Sequence, residues 1–246
     1  MQVIITKDYA EMSHVAGVIV EALVRQKPDA ILGLATGSTP VGLYEYLVRA
    51  HQKHGLDFQQ VTTFNLDEYL DLPKAHSQSY HTFMRENLFS HVNILPDRIH
   101  FPDEDYDAVD ETAEAYDARI YRAGGIDLQV LGIGRNGHIA FDEPAEELSF
   151  YTSTVTLTPS TREANARFFP SLEEVPTRAV SSGMGTIMQA KHLLILANGE
   201  GKREAVAHLL DGHRVTTLCP ATLALLHPRA TLIVDEAAAG RQTYFH

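Results

Sequence analysis

Short continuous apolar runs recur along the chain, separated by stretches in which apolar residues return at every third or fourth position. The runs are "VIIT" (3–6), "AILGLA" (30–35), "VTTFNL" (61–66), "IDLQVLGIG" (126–134), "AVSSG" (179–183), "HLLILA" (192–197) and "ATLIVD" (230–235). Several show no alternation of apolar and polar side chains, as expected of strands covered on both faces. The intervening segments 8–26, 40–51, 79–89, 107–124 and 202–212 keep the 3.6-residue period of helices with one buried stripe. Punctuation agrees with this division. Ser38 or Thr39 can cap a helix whose first turn contains Pro40, and Gly212 stops the helix that ends in "HLLD". Strand and helix thus alternate, which predicts an α/β fold with a mostly parallel sheet and helices on both faces. No repeat, low-complexity tract or linker divides 1–246, so the reading is a single domain.

In sheets of this kind ligands sit beyond the carboxyl ends of the strands. Four stretches fall there: "ATGSTP", "LDEY", "GRNGH" and "NGEGK". Gly132, Gly134 and Gly137 spell G-x-G-x-x-G after a strand, the form of a dinucleotide fingerprint. The context argues against it. The fingerprint needs a helix at its third glycine, whereas "HIAFDEP" reaches Pro144 within seven residues, and "TSTVTLT" stands where a strand-ending acid is required. No nicotinamide cofactor is expected.

Composition narrows the ligand. With 246 residues and 44% apolar content the chain can fill a sizeable core. A formal charge of -12, with no run of basic residues, makes nucleic acid an unfavourable partner. A small phosphorylated molecule is compatible with that charge, because a few focused cations and backbone amides override it locally. There is no basic-then-apolar leader and no apolar stretch of about 18 residues, so a cytoplasmic chain without a membrane span is expected. The single cysteine, Cys219, cannot form an internal disulfide and reads as a small buried residue.

The candidate chemistry follows. In "ATGSTP", a helix N-terminus with Ser38 and Thr39 is suited to a phosphate, although the same residues could serve only as caps. Arg167 in "NARFF" and Lys202 in "NGEGK" are cations of the kind a phosphate needs. Asp67 and Glu68 follow a strand, where a poorly solvated carboxylate can act as base on a carbon acid, or simply cap a turn. Imidazole as a residue type suits both accepting and donating a proton, which makes His138 a candidate; Glu143 could orient its ring, and Asn136 could hydrogen-bond nearby. "HSQSYH" (76–81) lacks the spacing of a helical metal pair, and no metal is expected.

Taken in order, "GLATGSTP", "FNLDEY", "GIGRNGHIAFDEPA" and "NARFF" resemble the glucosamine-6-phosphate deaminases, and the similarity runs over nearly the whole chain. The resemblance implies a modified doubly wound, Rossmann-like fold. It implies conversion of glucosamine 6-phosphate and water into fructose 6-phosphate and ammonia without a cofactor. His138 would open the sugar ring, supported by Glu143 and Asn136, and Asp67 would move the proton from carbon 2 to carbon 1. Gly37, Ser38, Thr39, Arg167 and Lys202 would hold the phosphate, and about 157–180 would form a mobile lid carrying Arg167. Many members carry Asp at the position of Asn136, and the allosterically regulated ones carry Arg and Lys where this chain has Ser153 and Val155. Glu146 stands where a phosphate would prefer a neutral hydroxyl, so no second phosphate site and no such allosteric activation are expected. A 6-phosphogluconolactonase-type hydrolase and a non-catalytic phosphosugar-sensing domain are the alternatives. The lactonase needs no carbon-acid base, and a sensor normally carries a DNA-binding domain.

Overall fold

The structure, a computed structural model, describes residues 1–102, 109–166 and 169–240. Its frame is a seven-stranded, wholly parallel sheet in the order β1-β10-β9-β6-β2-β3-β5. The chain runs β1 (Gln2–Thr6), α1 (Tyr9–Gln26), β2 (Ile31–Leu34), α2 (Val41–His54), β3 (Thr62–Asn65), β4 (Asp67–Tyr69), α3 (Tyr80–Asn87), β5 (Ile99–His100) and α4 (Val109–Arg122). It continues with β6 (Leu128–Gly132), β7 (Ser153–Thr156), α5 (Pro159–Asn165), β8 (Arg178–Ser181), α6 (Met184–Met188), β9 (Leu193–Ala197), α7 (Arg203–Asp211), β10 (Ala230–Asp235) and α8 (Glu236–Ala239).

The continuous apolar runs take the middle of this sheet. Every residue of β9 and β10 is buried, with helices packed around the sheet. Each Leu or Ile so covered contributes roughly 1.5–3 kcal/mol over its exposed state. The helices are cut where their polar residues allow. Asp8 caps α1 by accepting from the Glu11 amide at 2.9 Å, and Gly212 ends α7 in the left-handed region.

Strand order reverses between β2 and β6. From β2 the chain adds β3 and β5 on one side; after crossing back, it adds β6, β9 and β10 on the other. The loops leaving β2 and β6 therefore diverge to opposite faces and open a crevice at the carboxyl ends of these two strands.

Two expectations need correction. "AVSSG" does form a strand, β8, but it pairs antiparallel with β4 and β7 in a separate three-stranded sheet. Apolar content alone does not distinguish the two settings, because both bury the strand. Neither Ser38 nor Thr39 caps α2. Pro40 occupies the cap position without a side-chain bond, and the Gly42 amide donates instead to the Tyr9 hydroxyl of α1 at 2.8 Å.

Candidate active site

The crevice at the switch point is a cleft of about 660 Å³. Gly37, Ser38, Thr39, Asp67, Asn136, His138, Glu143 and Lys202 all line it. Of the residues singled out in the sequence, only Arg167 lies outside the described residues.

One end is built from loops at the strand tips. Thr39 donates its hydroxyl to Asn198 Oδ1 at 3.1 Å, which draws the loop after β2 against the loop after β9. The Ser38 carbonyl accepts from the Tyr9 hydroxyl at 3.0 Å, leaving the Ser38 hydroxyl uncommitted to helix capping. Across from them, the Gly199 amide donates to both carboxylate oxygens of Asp235, at 2.9 and 3.0 Å. This fixes the turn that carries Lys202 into α7. Gly37 and Ser38 are exposed, so this end is open to solvent.

The other end is enclosed. Asp67 begins β4 and stands opposite Ser181 of β8. Ser181 Oγ accepts from the Phe141 amide at 3.1 Å and thereby ties the loop after β6 to the small sheet. Tyr69, Tyr80 and Phe141 form an aromatic wall there, with ring centroids 4.9 to 6.2 Å apart. Asp67 is only 7% exposed. Burial, with the nearby charges of Glu68 and Asp142, pushes its carboxyl up to about 8. Glu68 is turned elsewhere: it accepts from the backbone amides of Tyr69, Tyr80 and His81 at 2.7, 3.0 and 2.9 Å. It therefore anchors the start of α3, while its neighbour lines the cleft.

His138 and Glu143 sit on the loop after β6. Gly134 permits this arrangement, because a Cβ there would come within 2.3 Å of His138 Nδ1. Gly137 has φ +86, and a Cβ on it would strike Cys219 Sγ at 2.4 Å. The third glycine of the G-x-G-x-x-G string thus shapes a turn around the imidazole, and no helix opens there. Cys219 is buried at 4% exposure behind this turn, as its sequence setting suggested.

Glu143 gathers the loop. His138 Nδ1 faces Glu143 Oε1 at 3.3 Å, an ion-pair distance without hydrogen-bond alignment. Asn136 Nδ2 donates to Glu143 Oε2 at 2.7 Å, while Asn136 Oδ1 accepts from the His138 amide at 3.2 Å. Thr161 of α5 donates its hydroxyl to Glu143 Oε1 at 2.5 Å. Burial alone would raise the Glu143 carboxyl; His138, Thr161 and Asn136 outweigh it and bring it down to about 2. Glu143 is therefore a fixed anion beside the ring.

Three residues at this end escaped the sequence reading. Thr161 lies three residues after Thr158, the cap of α5, so its local signal is that of a helix start. Tyr80 starts α3 and shows nothing in sequence beyond a periodic position. Asp142 is 6% exposed, with Oδ2 unpartnered among the described residues and its carboxyl pushed by burial to about 7. The "DE" of "FDEP" hinted at two acids but not at their different surroundings. Among the described residues no group of His, Cys, Asp and Glu could hold a metal ion. Chemically, the arrangement offers an anion-holding rim, an imidazole on a carboxylate, and a desolvated acid able to exchange a proton with carbon.

Comparison with known proteins gives the same picture. The family model for glucosamine-6-phosphate isomerases and 6-phosphogluconolactonase matches residues 9–234. A glucosamine-6-phosphate deaminase of Thermoanaerobacter pseudethanolicus is 48% identical over 239 residues, 97% of this chain and 94% of the relative. The solved structure of a monomeric glucosamine-6-phosphate deaminase superposes with a TM-score of 0.94 at 41% identity, over 98% of this chain and 100% of that one. A 6-phosphogluconolactonase from Trypanosoma cruzi, at 21% identity and a TM-score of 0.76 over 98% of this chain and 97% of that one, shares the fold. Nearly full-length similarity of sequence and structure assigns the chain to the glucosamine-6-phosphate isomerase/6-phosphogluconolactonase family.

Proposed function

We infer that this protein is an enzyme that isomerises and deaminates glucosamine 6-phosphate, consuming water and releasing fructose 6-phosphate and ammonia. One observation carries the chemistry: a desolvated carboxyl, Asp67, and an imidazole–carboxylate pair, His138 and Glu143, line the same cleft whose far rim is suited to a phosphate. The loop 37–39 and Lys202 receive the phosphate, which sets the sugar's carbon 1 and carbon 2 toward the enclosed end. His138 takes the proton of the anomeric hydroxyl and returns one to the ring oxygen, opening the pyranose. Glu143, held by Asn136 and Thr161, orients the ring and stabilises its charged form.

Asp67 then removes the proton from carbon 2 and delivers it to carbon 1 through an enolamine. Water adds to the carbon–nitrogen double bond that results, and ammonia leaves. A carboxyl raised to about 8 is a stronger base than an ordinary carboxylate once ionised, and the ammonium of the bound aminosugar favours that ionisation. The described part of the segment 157–180 serves as a lid over this end of a single domain; the support is that Thr161 and Asn165 of α5 line the cleft. The setting is cytoplasmic sugar metabolism, in keeping with the lack of any described helix long and apolar enough to cross a membrane.

The decisive assay follows ammonia and fructose 6-phosphate together. Equimolar release from glucosamine 6-phosphate is expected, with no acceleration of 6-phosphogluconolactone hydrolysis. Lactone hydrolysis without ammonia would move the protein to the other branch of its family, and inactivity toward both with tight sugar-phosphate binding would make it a sensor.

A further inference from the structure

We propose that Arg135 supplies an additional cation for the substrate's phosphate and so helps the protein select phosphorylated aminosugars; this deepens the reading above and rests on it. Arg135 stands between Gly134 and Asn136, on the same turn as His138, and lines the cleft. Its side chain reaches the turn that leads into α7. A Cβ placed on Gly201 would lie 3.4 Å from Arg135 Nε and 3.9 Å from Cζ, so the guanidinium rests against the residue preceding Lys202. The turn thus reaches both ends of the cleft, His138 toward the chemistry and Arg135 toward the rim.

The backbone beneath Arg135 is fixed. The Gly134 amide donates to the His138 carbonyl at 2.8 Å, and the Gly137 amide donates to the Gly134 carbonyl at 3.1 Å. The guanidinium itself is exposed and has no hydrogen-bond or ion-pair partner among the described residues. Because Thr39 bonds to Asn198, the loop 37–39 lies beside the turn on which Arg135 rests. Gly37, Ser38, Lys202 and Arg135 therefore surround one end of the cleft.

A phosphate dianion needs charge compensation there, because the chain carries a formal charge of -12 and Asp67 and Glu143 line the same cleft. Backbone amides and the Ser38 hydroxyl are neutral donors, and Lys202 is a point charge. The planar fork of a guanidinium adds two parallel donors to one phosphate. An interaction made equally in the ground and transition states lowers KM and leaves kcat unchanged.

The test compares wild type with Arg135→Ala and Arg135→Lys in ammonia release, in inhibition by inorganic phosphate, and in calorimetric titration with inorganic phosphate. For Arg135→Ala, KM rises on the order of tenfold, kcat stays within about twofold, and phosphate affinity weakens by about the same tenfold, the size of one charge-assisted bond. Arg135→Lys falls between, and raising the salt concentration narrows the gap. KM and phosphate affinity within about twofold of wild type would overturn the proposal, as would a fall in kcat alone. If wild type releases no ammonia, the reaction assigned above fails, and the phosphate titration still decides the place of Arg135.

Discussion

The two ends of the cleft are made in different ways. The rim is built at the tips of parallel strands from exposed loops, short side chains and two cations, Lys202 and Arg135, open to water. The enclosed end is built where the small antiparallel sheet meets the loop after β6, from buried carboxyls and three aromatic rings. Water at the rim screens charge, so groups there alter one another little. Desolvation at the other end drives two acids apart: Asp67 rises to about 8, whereas Glu143, supplied with donors, falls to about 2. In the proposed reaction, binding and proton transfer would thereby occupy opposite ends of a single cleft.

The largest test of this contrast is Asp67→Asn. It removes the carbon-acid base and lowers kcat by about a thousandfold, with KM within about threefold. Steady-state ammonia release checks it, and an equal loss in KM would erase the distinction between the two ends. The same substitution stabilises the ligand-free protein at alkaline pH. A carboxyl whose folded value is raised contributes stability that is full below its ordinary value near 4 and lost as pH rises through about 8. Thermal unfolding should therefore show Asp67→Asn gaining over wild type at pH 9 and not at pH 4.

Glu143→Gln comes next, with kcat down on the order of a hundredfold because the imidazole loses its fixed anion. Combined with His138→Asn it should cost little more than either change alone, since the pair acts as a unit. Full additivity would separate them. Thr161→Val follows, with kcat down about tenfold, the worth of one bond to a charged group, and Thr161→Ser retaining most of the rate.

Asp142→Asn gives the smallest change and the sharpest one for the enclosed end. It removes a like charge that holds Asp67 up once Asp142 itself ionises near 7, so the acid limb of kcat/KM moves to lower pH and activity at pH 8 rises by up to about twofold. A limb that stays in place would mean that burial and Glu68 set Asp67 without Asp142.

Much of this was legible in the chain. The continuous runs became the parallel sheet, because a strand covered on both faces must be apolar throughout. The strand-tip rule by itself places "ATGSTP", "LDEY", "GRNGH" and "NGEGK" at one edge, and Asn136, His138 and Glu143 are close enough in sequence for a single turn to join them. Arg167 lies outside the described residues.

Only the tertiary structure settled what depends on distant partners. It moved "AVSSG" into a second sheet, gave the capping of α2 to Tyr9, brought Thr161 onto Glu143 from 18 residues away, and leaned Arg135 toward Gly201. Asp67 and Glu68 are adjacent and chemically alike, yet three backbone amides claim one while an aromatic wall desolvates the other. Local pattern follows from the period of a strand or helix, which the chain carries residue by residue. The charge state of a carboxyl depends on what surrounds it in three dimensions, and that is written nowhere in its own neighbourhood of the sequence.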